Sequence, residues 1–219
     1  MPSKFAVYSF VCCIFSFSLA HAQPAPESRA LIKSFSYQCP LDPADPASCG
    51  CPVGSAQGML AQDGSVFTVT YERFIAEDGP NTNPLDARKR CQLVLELDVP
   101  RGYQFSIERL NTTGYVDLDP KTVARLAVRY KFRGANREMN LQKKYVGPLT
   151  QDFVVTDGLI DESKQLVWSK CGKAHELTIT TELHAKAKGE NNQGYAAIGV
   201  DLQDGLLIQT LALKARKCR

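Results

Sequence analysis

Cys91-Gln92-Leu93-Val94-Leu95-Glu96-Leu97-Asp98-Val99 carries an apolar side chain at every odd position, and at the even positions all but Val94 are polar. Successive side chains of a strand point to opposite faces, so this period of two makes one dry face and one wet one. That is the habit of an antiparallel sheet. The pattern recurs over 122–132, with Ala124, Leu126, Val128, Tyr130 and Phe132 opposite Arg125, Arg129 and Lys131. It recurs again over 176–184, where Leu177, Ile179 and Leu183 oppose Glu176, Thr178, Thr180, Glu182 and His184. Further strands are predicted over 66–74, 103–110, 153–156 and 166–168, and only 84–90 has helical character. About eight to ten strands without an internal repeat predict an all-β fold, an antiparallel β-sandwich or jelly-roll-like barrel.

The sharpest local prediction is a hairpin. Residues 196–203 and 206–213 flank Asp204-Gly205, a two-residue type I′ signal. That turn would set Ile198 against Leu211, Val200 against Gln209 and Leu202 against Leu207, a face on which Gln209 alone is polar.

Residues 5–19 are almost wholly apolar, follow Lys4 and end in Ala20-His21-Ala22, the marks of a secretory signal peptide. Cleavage before Gln23 removes 22 of 219 residues, including Cys12 and Cys13, and leaves 197, enough for one domain with a real core. The expected layout is a signal peptide over 1–22, a tail over 23–38 and one sandwich domain over 39–219. The formal charge of +3 becomes +2 once Lys4 is gone, too balanced to imply nucleic acid or an anionic membrane. No second apolar run is long enough to span a bilayer, so the mature protein is expected to be a soluble monomer. Its destination is the extracellular medium, a wall or a periplasm.

Six cysteines remain: Cys39, Cys49, Cys51, Cys91, Cys171 and Cys218. An even number in an exported chain predicts disulfides, which makes the scaffold disulfide-stabilised, and six cysteines allow fifteen connectivities. Cys39 and Cys49 are near neighbours in a proline-rich stretch, and Cys51 can hardly pair with Cys49 across one glycine. Cys39–Cys49, Cys51–Cys91 and Cys171–Cys218 is the expected set. The last would close a loop of about 48 residues, worth roughly 3–4 kcal/mol by chain entropy. No C-x-x-C motif favours zinc, and neither a metal nor another cofactor is expected.

Catalytic signals are sparse. His175 and His184 are too far apart for a local zinc pair, no G-x-S-x-G elbow exists, and both histidines read as surface or structural. Asp117, Asp119, Asp152, Asp157, Asp161, Glu162 and Asp201 are candidates for a hydrolytic carboxylate pair. The run 157–162 has some character of a calcium loop without the EF-hand spacing. Arg88-Lys89-Arg90 reads as a solvated lead-in to the Cys91 strand, with a processing site or an anion patch as alternatives. Lys214, Arg216, Lys217 and Arg219 read as solubilising. Asn111-Thr112-Thr113 is a glycosylation sequon placed in a predicted turn between Leu110 and Tyr115. Trp168 reads as core, with stacking on sugar rings as the alternative.

Several motifs fall in a familiar order: Gly50-Cys51-Pro52-Val53-Gly54-Ser55, Arg88-Lys89-Arg90-Cys91-Gln92-Leu93, Pro100-Arg101-Gly102-Tyr103-Gln104-Phe105-Ser106, Gly114-Tyr115, Gly147-Pro148 and Trp168-Ser169-Lys170-Cys171-Gly172, ending near Cys218. Over residues 50–218 the chain resembles the domain of unknown function 4360 family of exported fungal and bacterial proteins. The resemblance implies a secreted domain with two framework disulfides, no established activity and no catalytic residues to carry over. Cys39 and Cys49 are additions to that pattern, and the final Ala215-Arg216-Lys217-Cys218 lacks its aromatic residue.

The expected function is therefore a non-enzymatic secreted module that binds an extracellular glycan or protein. A carboxylate hydrolase and an inhibitor acting through the 39–55 loop are the alternatives.

Overall fold

The computed structural model describes residues 31–39, 48–62, 66–158, 166–172, 175–187, 194–200 and 205–218. The expected signal peptide, residues 40–47 of the proline-rich loop, and Asp161, Glu162, Asp201 and Arg219 lie outside them.

The fold is an antiparallel β-sandwich. The strands are β1 (Leu31–Gln38), β2 (Ala56–Leu60), β3 (Val66–Tyr71), β4 (Ile75–Asp78), β5 (Arg88–Asp98), β6 (Tyr103–Leu118), β7 (Val123–Phe132), β8 (Met139–Val146), β9 (Leu149–Gly158), β10 (His175–Lys186), β11 (Ala196–Gly199) and β12 (Leu207–Lys217). One sheet, sheet A, has the order β1-β5-β10-β7-β8. The other, sheet B, has the order β2-β3-β12-β6-β11-β4, with β9 also paired to β6.

The alternating apolar residues form the interior. Cys91, Leu93, Leu95, Leu97 and Val99 of the β5 segment are buried, as are Ala124, Leu126, Val128, Tyr130 and Phe132 of β7 and Leu177, Ile179 and Leu183 of β10. They face Phe67, Val69, Phe105, Leu110, Val116 and Leu211 of sheet B in one core. Fully burying a side chain of this size stabilises by roughly 1.5–3 kcal/mol.

Four sequence expectations need correction. The pairing expected of the 196–213 hairpin is absent among the described residues, and its residues 201–204 lie outside them. Ile198 pairs with Val116 and Ala76, and Leu211 pairs with Leu110 and Phe67. β11 and β12 lie end to end along the same edge of β6, so each is flanked on both edges, by β6 and by β4 or β3. Two filled edges satisfy more backbone groups than a two-stranded ribbon would. At the end of β11, Gly199 has φ +148°, and a Cβ there would strike the Phe74 carbonyl. Second, Leu31–Gln38, expected in a tail, is β1, paired to β5 from Leu31↔Asp98 to Gln38↔Gln92. Third, residues 166–170 are not a strand, although Ser169 N donates to the Phe105 carbonyl at 2.7 Å. Fourth, only Pro84–Ala87 of 84–90 is helical, as a short 3-10 turn, and Arg88 already opens β5. Between β8 and β9 the chain changes sheets at the cis Gly147–Pro148 peptide, where the Asp119 carbonyl leaves no room for a Cβ.

Candidate functional site

The register of sheet A decides what its solvent face presents. Arg88 of β5 lies beside His184 of β10, His184 beside Arg125 of β7, and Arg125 beside Lys144 of β8. Four nitrogen-bearing side chains therefore form one row across four strands, roughly 14 Å long at the usual strand spacing. The next row is Arg90, Glu182, Ala127 and Gln142, and the one after is Gln92, Thr180, Arg129 and Asn140. Ala127, the smallest side chain of the middle row, is the floor of an open groove of about 640 Å³ whose walls include Arg88, Arg90, Arg125, Arg129 and Lys144.

Glu182 is the carboxylate in this groove, and it organises the arginines. Its Oε1 accepts from Arg88 Nε at 2.8 Å, its Oε2 accepts from an Arg90 guanidinium nitrogen at 3.1 Å, and an Arg129 guanidinium nitrogen stands 3.5 Å from Oε2. Burial pushes its carboxyl up, but hydrogen bonds and charge from Arg88 and Arg90 outweigh that and hold it below the usual range. One carboxylate facing three guanidiniums leaves an excess of positive charge held in place. His184 is held below its ordinary pKa by burial first and then by Arg88 and Arg125, with Glu182 opposing and Lys186 adding to the depression. It stands neutral at pH 7 amid fixed cations. Chemically the groove suits an anion: guanidiniums give paired donors to a carboxylate, sulfate or phosphate.

The other predicted residues are dispersed. His175 faces the interior from the opposite side of β10, buried, its imidazole pKa lowered by burial. Asp157 is buried and hydrogen-bonded to Tyr130, whose hydroxyl is pushed up by burial and then by that carboxylate. Asp117 lies on the outer face of the same sheet, where it accepts from Thr150 Oγ1 at 2.8 Å, and Asp152 is on the neighbouring strand. Asp119 accepts from the Tyr195 amide at 2.8 Å. Asp157 and Asp117 thus open onto opposite sides of sheet B. Of the calcium-like run, residues 159–162 lie outside the described residues.

Asn111 is not in a turn: it sits mid-way along β6, between Thr210 of β12 and Thr156 of β9, with its Oδ1 buried. Trp168 is half-buried rather than core, its ring covered by the Arg216 guanidinium 3.8 Å from the centroid. Lys214 pairs with Glu108 at 3.7 Å, so the basic C-terminal end makes specific contacts. Among the described residues the exposed aromatic ring is Phe35. The disulfides join Cys39 to Cys49, Cys51 to Cys91 and Cys171 to Cys218, with Cα separations of 5.0, 5.4 and 5.8 Å.

Sequence reasoning missed the convergence of Arg88, Arg90, Arg125, Arg129 and Lys144. The signal was present in pieces, as basic residues on the polar faces of separate strands. Only the non-sequential order β5-β10-β7-β8 joins them.

An uncharacterized secreted protein of Arthroderma benhamiae is 31% identical over 147 residues, covering 66% of this chain, and the chain spans 58% of that relative's length. Among solved structures, TmCBM61 in complex with β-1,4-galactotriose is similar over 86% of this chain and 91% of that chain, at 9% identity and a TM-score of 0.30, too low to bear on fold or ligand. No helix of the described residues is long and apolar enough to cross a membrane. The model of DUF4360, a domain of unknown function, matches residues 48–218, and the chain belongs to that family.

Proposed function

We propose that this protein is a secreted binding module and that its ligand is anionic, held on the solvent face of sheet A. The reading rests on one observation: the row Arg88, His184, Arg125, Lys144 beside a groove in which Glu182 is the counter-charge to three arginines. Export is supported by the apolar 5–19 segment with its Ala20-His21-Ala22 end and by three disulfides, which persist in oxidising compartments. Recognition by charge fits the face better than recognition by ring stacking, since the outward side chains of β5, β10, β7 and β8 include no Phe, Tyr or Trp.

The test compares dextran sulfate with neutral dextran as ligands of the oxidised mature protein, by titration calorimetry at low and physiological salt. Dextran sulfate is expected to bind with salt-sensitive affinity and neutral dextran to stay unbound. Arg125→Ala with Lys144→Ala should weaken binding about tenfold or more, as loss of two charge-assisted contacts implies. Equal binding of the neutral polymer, or an unaffected variant, would overturn the reading.

A further inference from the structure

The groove over Ala127 does not end at Arg129. A second opening, of about 250 Å³, shares Arg129 as a wall and continues along the same face past Gln92, Lys131, Arg133, Glu138, Glu176, Thr178 and Thr180. The two openings, with Arg129 standing between them, follow β7 in line and together form one interrupted channel. That strand's outward side chains are Arg125, Ala127, Arg129 and Lys131, and Arg133 follows directly. At about 3.4 Å per residue, cations thus recur along roughly 27 Å. A compact anion would need only the first row, whereas this ladder, broken at Ala127 and countered in part by Glu182 and Glu176, spreads positive charge over a length that suits several anions in line.

Between the cations lie neutral hydrogen-bonding side chains, Thr178 and Thr180 of β10, Gln92 of β5 and Gln142 of β8, and three carboxylates: Glu182 against Arg88, Arg90 and Arg129, Glu176 against Arg133 at 3.5 Å, and Glu138. The neutral groups match the hydroxyls between the charges of an acidic polysaccharide. A nucleic acid strand would instead seek exposed rings on which to stack its bases. Among the described residues lining either opening, Phe132 is the one Phe, Tyr or Trp and is fully buried, and the one other aromatic ring is the His184 imidazole, half-buried among cations.

We infer that the channel from Lys144 to Arg133 binds an extended, linear polysaccharide bearing carboxylates or sulfates, several sugars long. The inference rests on the anionic reading above and adds length and polymer class to it.

The experiment measures affinity for two series, oligogalacturonates and heparin-derived oligosaccharides, each from disaccharide to octasaccharide. Galacturonates supply carboxylate and heparin fragments mainly sulfate, so the two arms distinguish which anion the channel takes. Affinity in at least one series is expected to climb tenfold or more from disaccharide to hexasaccharide. Lys131→Ala with Arg133→Ala, at the far end, should lower hexasaccharide affinity about tenfold and leave disaccharide binding unchanged. Both side chains are on the solvent face, so folding is preserved. Equal affinity at all lengths would overturn the extended-chain inference and leave the anion site standing, whereas no binding in either series would remove both. A single-stranded oligonucleotide of matched charge that bound as tightly would overturn the polysaccharide assignment.

Discussion

Gln209 is the one polar side chain in an otherwise apolar row of β12, and it is fully buried. Its Nε2 donates to Thr112 Oγ1 at 3.2 Å and to Thr181 Oγ1 at 2.9 Å, and its Oε1 accepts from the Tyr71 hydroxyl at 3.0 Å. Thr181 belongs to sheet A and the others to sheet B, so one amide bridges the sandwich. Tyr71→Phe strips the donor from Gln209 Oε1 and should cost about 1–3 kcal/mol, the desolvation penalty of a buried unpaired acceptor. Urea unfolding should show a lower midpoint at constant slope, and an unchanged midpoint would deny the bridge a stabilising role. The sequence flagged Gln209 as the exception on its face but could not supply its partners, which come from β3, β6 and β10. The opposite error befell Asn111: the sequon suggested a turn, yet its Thr and Gly neighbours continue β6 because β9 and β12 pair through them.

At the scale of elements, local pattern and long-range pairing compete. The 196–213 segments alternate as a hairpin should, and the same alternation fits them equally well against β6. A turn signal cannot weigh a partner 78 or more residues away, and β6, 16 residues long, offers an edge that holds β11 and β12 in line. The end of β12 is secured differently, by the Cys171–Cys218 disulfide and by Cys218 N donating to the Gly102 carbonyl at 2.8 Å. Replacing both with alanine, Cys171→Ala with Cys218→Ala, frees a loop spanning 47 positions and should cost roughly 3–4 kcal/mol. Hydrogen exchange should show protection lost first at Ala215–Lys217 and Tyr103–Phe105 and kept in β5 and β10. Uniform loss across both sheets would mean that the cross-link supports the whole sandwich and not one corner.

Across the whole molecule, a chain with 26 basic and 23 acidic residues is close to neutral, yet its fold concentrates cations on one face of sheet A. That field has a consequence for pH. His184 faces Arg88 from β5, Arg125 from β7, Lys144 across the row on β8, and Glu182 and Lys186 on its own strand. Burial and the cations lower its pKa, so it gains a proton only below its ordinary titration range. An anion in the groove would favour that proton, and by linkage affinity for a sulfated ligand should rise as pH falls through the His184 pKa, on the order of tenfold for one added charge. A sulfated probe does not itself titrate there, and His184→Asn should flatten the profile; an equally steep profile in that variant would assign the effect elsewhere. The alternation of Cys91–Val99, 122–132 and 176–184 fixed which side chains turn inward, because period two is a property of the backbone and needs no knowledge of neighbours. The strand order, the end-to-end placement of β11 and β12, and the basic channel were decided only by tertiary structure. Arg88, Arg125, Lys144 and His184 are scattered over almost 100 positions of sequence and become neighbours only through pairing across β5, β10, β7 and β8.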